Sequence, residues 1–286
     1  MNSAAGGGFR RAGLLRLGAL LGLLMLGTQF VGCAGPSGPS GPAERSATAA
    51  PRESRPPAEA GNPERRAQAR LELAELYFGR GQFAVALDEV NVALSVKPDL
   101  AAGHGLRGLI LASMGDPRAA EESFLRAIQL TPGDGSPLHN YGWFLCQQRR
   151  FADSEKQFMA ALAMPQYRDA TRSLLAQGVC QARAGRWAEA ERTLSRSFEL
   201  DPANPITAFN LSEVLLRRGE FERARFYVRR INVVPELVSA QSLWLAARVD
   251  RRLGNVDGLR ELSQQLRERF PQSPEALRLE RGKFDD

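Results

Sequence analysis

From Pro63 onward, apolar residues recur three and four positions apart in short blocks, the spacing that places them on one face of a helix. Each block closes at a turn signal and is followed by a second block in which small residues stand seven apart. These are Ala86 and Ala93, Ala120 and Ala127, Ser154 and Ala161, and Ala190 and Ser197. Small side chains sharing a helix face let two helix backbones approach closely. The turn signals are Gly81-Gln82-Phe83, Gly115-Asp116-Pro117, Arg149-Arg150-Phe151, Gly185-Arg186-Trp187, Gly219-Glu220-Phe221 and Gly254-Asn255-Val256, lying 34, 34, 36, 34 and 35 residues apart. Pro98, Pro132, Pro202 and Pro271 stand where each second helix must stop, because proline lacks the amide donor and clashes with the preceding turn. The pattern predicts six helix pairs, with Leu76, Val90 and Leu94 packing inward in the first.

A period of about 34 residues with two helices per unit is the mark of stacked helical repeats. Leu73, Ala74, Tyr77, Ala86, Val90, Ala93 and Pro98, and in the next unit Gly108, Ala120, Phe124, Ala127 and Pro132, resemble the tetratricopeptide repeat. The resemblance implies an all-α fold, a right-handed superhelical solenoid of six repeats over residues 64–286. The units fall at 67–100, 101–134, 135–168, 171–204, 205–238 and 240–273. The sixth is the most degenerate: it keeps Ala247 and Pro271 but has Leu259 and Ser263 at the family's Ala and Phe positions. Residues 274–286 are expected to form a capping helix starting near Pro274, since a terminal repeat needs a polar outer face.

The residues before Pro63 read differently. Arg10, Arg11 and Arg16 precede an apolar run from Leu17 to Leu26, and no acid occurs before Glu44, the arrangement of an export signal. The run is too short for a spanning helix, which needs about 20 apolar residues. Phe30-Val31-Gly32-Cys33 resembles the bacterial lipobox, which implies a signal peptide at 1–32 and a diacylglyceryl group on the Cys33 thiol. Ala34 after that Cys resembles the outer-membrane sorting pattern of Gram-negative lipoproteins, implying lipid anchoring at the periplasmic face. Residues 33–63 are rich in Pro, Gly, Ser and Ala and form a flexible tether with a span of roughly 30 Å.

Composition narrows the chemistry. The chain of 286 residues carries a net charge of +6, and loss of the three arginines before Cys33 leaves +3, too little to call for a nucleic acid partner. With three Cys, two His and no CxxC or HExxH spacing, no metal or cofactor is expected and the chain does not read as an enzyme. Gly103-His104-Gly105-Leu106-Arg107-Gly108 satisfies GxGxxG but lies inside a repeat helix with no strand before it. His104 and His139 have no Ser or Cys and acid constellation around them. Asn210-Leu211-Ser212 is a sequon without meaning on a bacterial repeat helix.

The tetratricopeptide resemblance implies a concave groove lined by the first helix of each unit, a place for extended peptides or partner helices. Carried over unit by unit, the groove positions are Leu71, Glu75 and Phe78, then Leu109 and Ala112, then His139, Trp143 and Cys146. Later units add Leu175, Val179, Phe209, Glu213, Trp244 and Arg248. The front half is apolar, while Arg217, Arg248, Arg251 and Arg252 make the back half basic. The paired Lys and Asn or Arg that clamp a C-terminal carboxylate in some repeat proteins are absent, the corresponding positions holding Gln68, Leu71, Glu75, Ala102 and Gly105. Acylation of Cys33 would leave Cys146 and Cys180 in an oxidising compartment, where they either bridge adjacent first helices or stay as two buried thiols.

One run narrows the family. His139-Asn140-Tyr141-Gly142-Trp143-Phe144-Leu145-Cys146, with Gly178-Val179-Cys180 in the next unit, resembles the PilF/PilW family of type IV pilus biogenesis and stability lipoproteins. The resemblance implies a monomeric outer-membrane pilotin that binds the type IV pilus secretin and promotes its localisation and multimerisation. The alternative is a general periplasmic scaffold docking cell-envelope or peptidoglycan enzymes.

Overall fold

The computed structural model describes residues 62–284. Cys33, the signal peptide at 1–32 and nearly all of the linker at 33–63 lie outside the described residues. Within them the chain forms helices and no strand. Six antiparallel hairpins follow one another: α1 (Pro63–Gly79) with α2 (Phe83–Val96), α3 (Ala101–Met114) with α4 (Pro117–Leu130), α5 (Gly135–Gln147) with α6 (Phe151–Leu162). Then come α7 (Ala170–Arg183) with α8 (Trp187–Leu200), α9 (Pro205–Arg217) with α10 (Phe221–Asn232), and α11 (Ala240–Leu253) with α12 (Val256–Arg269), before a terminal α13 (Pro274–Glu280). A 3-10 turn at Pro235–Leu237 links the fifth and sixth hairpins.

Every first helix stops in the same way. Gly81, Gly115, Gly185, Gly219 and Gly254 adopt left-handed φ values between 71° and 84°, and Arg149 takes that place in the third hairpin at 61°. In each, two successive amides reach back to carbonyls three and five residues earlier, as in Gly81 to Phe78 and Gln82 to Tyr77, or Arg149 to Cys146 and Arg150 to Leu145. This closes the helix and reverses the chain into the second helix at once. Only glycine adopts that backbone without steric cost, so Arg149 carries strain that its five counterparts avoid.

The hairpins close on side chains of minimal size. Ala86, Ala93, Ala120, Ala127, Ser154, Ala161, Ala190, Ser197 and Ala224 have no exposed surface. Facing them, first helices offer glycine where the approach is tightest: a Cβ at Gly108 would stand 2.7 Å from the Phe124 ring, and one at Gly178 would stand 2.6 Å from Leu194. Apolar burial runs as a string of patches between neighbours, including Leu71, Val90 and Ile110, then Phe124, Phe144 and Leu145, then Leu194, Leu211, Leu215 and Val228. Each patch is shared by adjacent units, the arrangement that makes a solenoid depend on nearest neighbours.

A ladder of ion pairs fixes how successive hairpins sit. Glu121, Glu155 and Glu191 are each the fifth residue of a second helix. Each accepts from arginines of the next hairpin: Arg150 on Glu121 at 2.7 Å and Arg186 on Glu155 at 2.7 Å, with Arg223 at 2.7 Å and Arg218 both on Glu191. The Tyr141 hydroxyl also donates to Glu121 at 2.5 Å. Burial pushes the Glu121 carboxyl up, but the bonds from Tyr141 and Arg150 outweigh it and hold the group below the usual carboxylate range. Burial and Glu121 together push the Tyr141 phenol up to about 12. The part-exposed pairs on Glu121 and Glu155 contribute roughly 0.2–1 kcal/mol each, so their role is to set register more than stability.

Three expectations from the sequence are corrected. Leu76 is 48 % exposed, because the inward face of α1 is the row Ala67, Leu71 and Ala74, on the opposite side of the helix. The helix α1 begins four residues before the unit boundary at 67, where Asn62 caps it by accepting from the Glu64 amide at 2.9 Å and Pro63 enters the first turn. The final helix stops at Glu280 instead of continuing to 286: Gly282 is left-handed, and the Gly282 and Lys283 amides close α13 on Leu279 and Arg278.

Arg149→Gly is expected to raise the unfolding free energy by about 1 kcal/mol, the left-handed penalty relieved less the entropy cost of glycine. The measurement is the urea midpoint, and a midpoint that stays put or falls counts against strain at this turn.

Candidate protein-binding groove

Successive first helices, α1, α3, α5, α7, α9 and α11, touch one another and form one face of the array. Their half-buried apolar side chains include Phe78, Leu109, Ala112, Trp143, Leu175, Val179 and Phe209, seated on the core yet open to solvent, and Glu75 is exposed beside them. At the centre the Arg183 guanidinium lies 5.0 Å above the Trp143 ring. Cation–π contact of this kind leaves a flat amphipathic platform in the middle of the face.

Four of the residues carried over as groove positions, Leu71, His139, Cys146 and Trp244, are buried. Leu71 is 2 % exposed and packs among Ala74, Ala86, Val90 and Ile110. His139 is 4 % exposed, its ring edge-on to Phe158 at 5.7 Å, with Nδ1 2.8 Å from the Ser173 hydroxyl. The Tyr167 hydroxyl lies 2.7 Å from the same Ser173 oxygen. Tyr167 belongs to the longer connection between the third and fourth hairpins and packs where any Cβ at Gly135 would stand 2.7 Å from its ring. The extra residues of that connection therefore supply a plug, and His139 serves the plug instead of a ligand. Burial, and then the charge of Arg172, push the His139 imidazole down to about 4, so it is neutral in the folded protein at neutral pH.

Directly behind Trp143, the structure joins Cys146 of α5 to Cys180 of α7, 34 positions apart in sequence, with Cα atoms 5.8 Å apart. Cys146, carried over as a groove position, is 1 % exposed, so it is part of this staple and not of the groove surface. The bridge ties two first helices at mid-groove, where the repeat length departs from 34.

The back half has other chemistry. Phe209, Glu213, Arg217, Trp244, Arg248 and Arg278 surround a cleft of about 290 Å³. Trp244 is 7 % exposed and Arg248 lies 3.7 Å from Glu213. Phe284, unremarked in the sequence, stacks on Trp244 with ring centres 4.9 Å apart. Its only sequence signal was an aromatic residue alone in the charged run Arg281-Gly282-Lys283-Phe284-Asp285-Asp286. Among the described residues no cluster of three or more His, Cys, Asp or Glu is placed to hold a metal ion. The GxGxxG run lies in α3, where Gly103 and Gly108 make room for Leu94 and Phe124.

A profile of the tetratricopeptide repeat matches residues 71–137, 142–205 and 181–231. The chain belongs to the tetratricopeptide repeat family. Among individual proteins, this tetratricopeptide chain is similar to the type IV pilus assembly protein PilF of Pseudomonas aeruginosa, 24 % identical over 205 residues, covering 72 % of this chain and 81 % of that one. It is also similar to the cellulose synthase operon protein C of Xanthomonas axonopodis pv. citri, 26 % identical over 183 residues, but covers only 12 % of that protein. Among solved structures, PilW, described as a widely conserved type IV pilus biogenesis factor, is 28 % identical with a TM-score of 0.69, covering 74 % of this chain and 97 % of PilW. Pseudomonas aeruginosa PilF shares the fold at 22 % identity and a TM-score of 0.65, covering 77 % of this chain and 99 % of the PilF chain. The superhelical tetratricopeptide solenoid is thus common to all three.

Two predictions follow from the middle of the groove. Reducing the Cys146–Cys180 bridge, or replacing both with Ser, is expected to lower the unfolding free energy by about 4 kcal/mol for a loop of this length. Denaturant midpoints with and without reductant test this, and identical midpoints would show that the bridge contributes nothing. For His139, the unfolded chain takes up a proton near pH 6.5 but the folded one only near 4. Its contribution is whole above pH 6.5 and is lost as pH falls to about 4, amounting to about 3 kcal/mol. His139→Gln should flatten stability between pH 7 and 4.5, and parallel curves for variant and parent would refute the assignment.

Proposed function

We propose that this chain is an outer-membrane lipoprotein of type IV pilus biogenesis, a pilotin that holds a segment of the pilus secretin in the apolar front half of its groove and promotes the secretin's localisation and multimerisation. What carries the reading is the likeness to PilF and PilW in sequence as well as in fold, 24 % identity over 81 % of PilF and 28 % identity over 97 % of PilW. The half-buried row Phe78, Leu109, Ala112 and Trp143 supports it, because exposed apolar side chains in a concave face suit an amphipathic or extended partner segment. The anchor is the Cys33 lipid, whose three acyl chains hold far more firmly than one, each buried methylene contributing about 0.8 kcal/mol. The tether then lets the repeat domain work roughly 30 Å from the periplasmic face of the outer membrane. The proposed role needs no catalysis and no cofactor.

The experiment is the fraction of pilus secretin recovered from the outer membrane as heat-stable multimers in a deletion strain complemented with the parent chain, Cys33→Ala or Phe78→Glu. The parent is expected to restore multimers, Cys33→Ala to lower them severalfold, and Phe78→Glu to lower them at unchanged protein level. Secretin assembly indifferent to the deletion would end the pilotin reading and leave a general periplasmic scaffold for envelope enzymes in its place.

A further inference from the structure

The back of the groove already holds a peptide. After α13 the left-handed Gly282 turns the chain out of the helix, and the next residues run back over α11, the first helix of the sixth hairpin. The Phe284 ring stacks on Trp244 at an interplanar angle of 28°, and the Arg251 guanidinium covers it at 4.4 Å. Arg248 Nε donates to the Phe284 carbonyl at 3.2 Å. An aromatic ring clamped between a tryptophan and an arginine, with its main chain held by a side chain, is how a groove seats an extended peptide.

The surroundings are set for negative charge. A cleft of about 360 Å³ beside Phe284 is lined by Arg217, Arg218, Arg248, Arg251 and Arg252. Arg218 is used by Glu191, but among the described residues Arg217, Arg251 and Arg252 form no ion pair with a carboxylate. Arg252 lies over the Phe221 ring at 4.9 Å, which leaves its charge unneutralised. Ladder arginines elsewhere in the array are matched by glutamates, so an excess here calls for anions from outside the helices. In the sequence, Phe284 is followed by Asp285 and Asp286. The tail thus pairs an aromatic residue that fits the clamp with acids that fit the charge.

We propose that the groove over the fifth and sixth repeats is a second docking site, for an extended partner segment with an aromatic residue followed by acidic ones, and that Phe284 is a resident occupant that such a segment displaces. This site is separate from the apolar front half and does not depend on what binds there. A tail joined by a short link competes at an effective concentration in the millimolar range. For a segment that binds the empty site near 100 µM, that competition weakens apparent affinity about tenfold.

The test is fluorescence anisotropy with a labelled Arg-Gly-Lys-Phe-Asp-Asp peptide. Against the full chain it should bind weakly, and against a chain ending at Gly282 about tenfold more tightly. Phe284→Ala in the full-length chain leaves α13 whole and should produce most of the same gain. Arg217→Glu with Arg251→Glu, both exposed, should abolish binding to the shortened chain while leaving its helical circular dichroism intact. A peptide ending in Ala-Asp-Asp or Phe-Lys-Lys should not bind. If removal of the tail only lowers the melting temperature and uncovers no peptide binding, the tail is a structural cap and the proposal is overturned. Equal binding of the Ala-Asp-Asp peptide would overturn it too, as charge attraction without the aromatic clamp. Neither result bears on secretin multimers, so the pilus reading stands or falls separately.

Discussion

Everything in this array depends on how closely the two helices of a hairpin approach. Gly108 against Phe124, Gly142 against Phe158 and Gly178 against Leu194 are contacts in which a Cβ would stand between 2.6 and 3.2 Å from its neighbour. That closeness sets the hairpin angle, and the left-handed turn residue sets where the hairpin begins. With both fixed, identical hairpins can stack only with their first helices on one side and their second helices on the other. The groove is thus a by-product of backbone approach within each hairpin. This lets the face vary in chemistry along the array while the helix pairs stay the same.

The middle of the array is where this regularity is broken and compensated. The third turn uses Arg149 in place of glycine, and the connection to the fourth hairpin, residues 163–169, is longer than the links at 97–100, 131–134 and 201–204. At the same point lie the Cys146–Cys180 bridge and the buried Tyr167–Ser173–His139 chain. A longer connection would permit a neighbour to rotate, and a covalent tie between α5 and α7 with a plug beneath it removes that freedom. Trp143 sits over the bridge, so the platform at the groove's centre rests on its most constrained part.

The period, the turns and the small-residue pairs were legible in the sequence because each obeys a backbone rule that any occupant of the position must satisfy. The apolar front and basic back of the groove were legible as well, since helix register follows from the period. What escaped was which side chains of the first helices turn inward. His139 and Leu71 fall at carried-over groove positions yet turn inward, His139 onto the plug supplied by the connection to the fourth hairpin and Leu71 onto its partner helix and the next hairpin. Leu76 has helical spacing to no inward residue of α1 and so lies on its outer side. Phe284 escaped for another reason: its place depends on a return contact 40 residues away, which no local pattern encodes.

The two halves of the groove differ in a way that bears on partner choice. An apolar row gains affinity from area and tolerates many sequences, whereas an arginine cleft with an aromatic clamp demands an acid in a particular place. A resident tail makes the second half stricter still, because a segment must outcompete a neighbour that never diffuses away. Weak, charge-only ligands are then excluded while one with the aromatic anchor gets in. That threshold supplies selectivity that neither the fold nor the net charge could provide, and it does so without altering a single helix-to-helix contact.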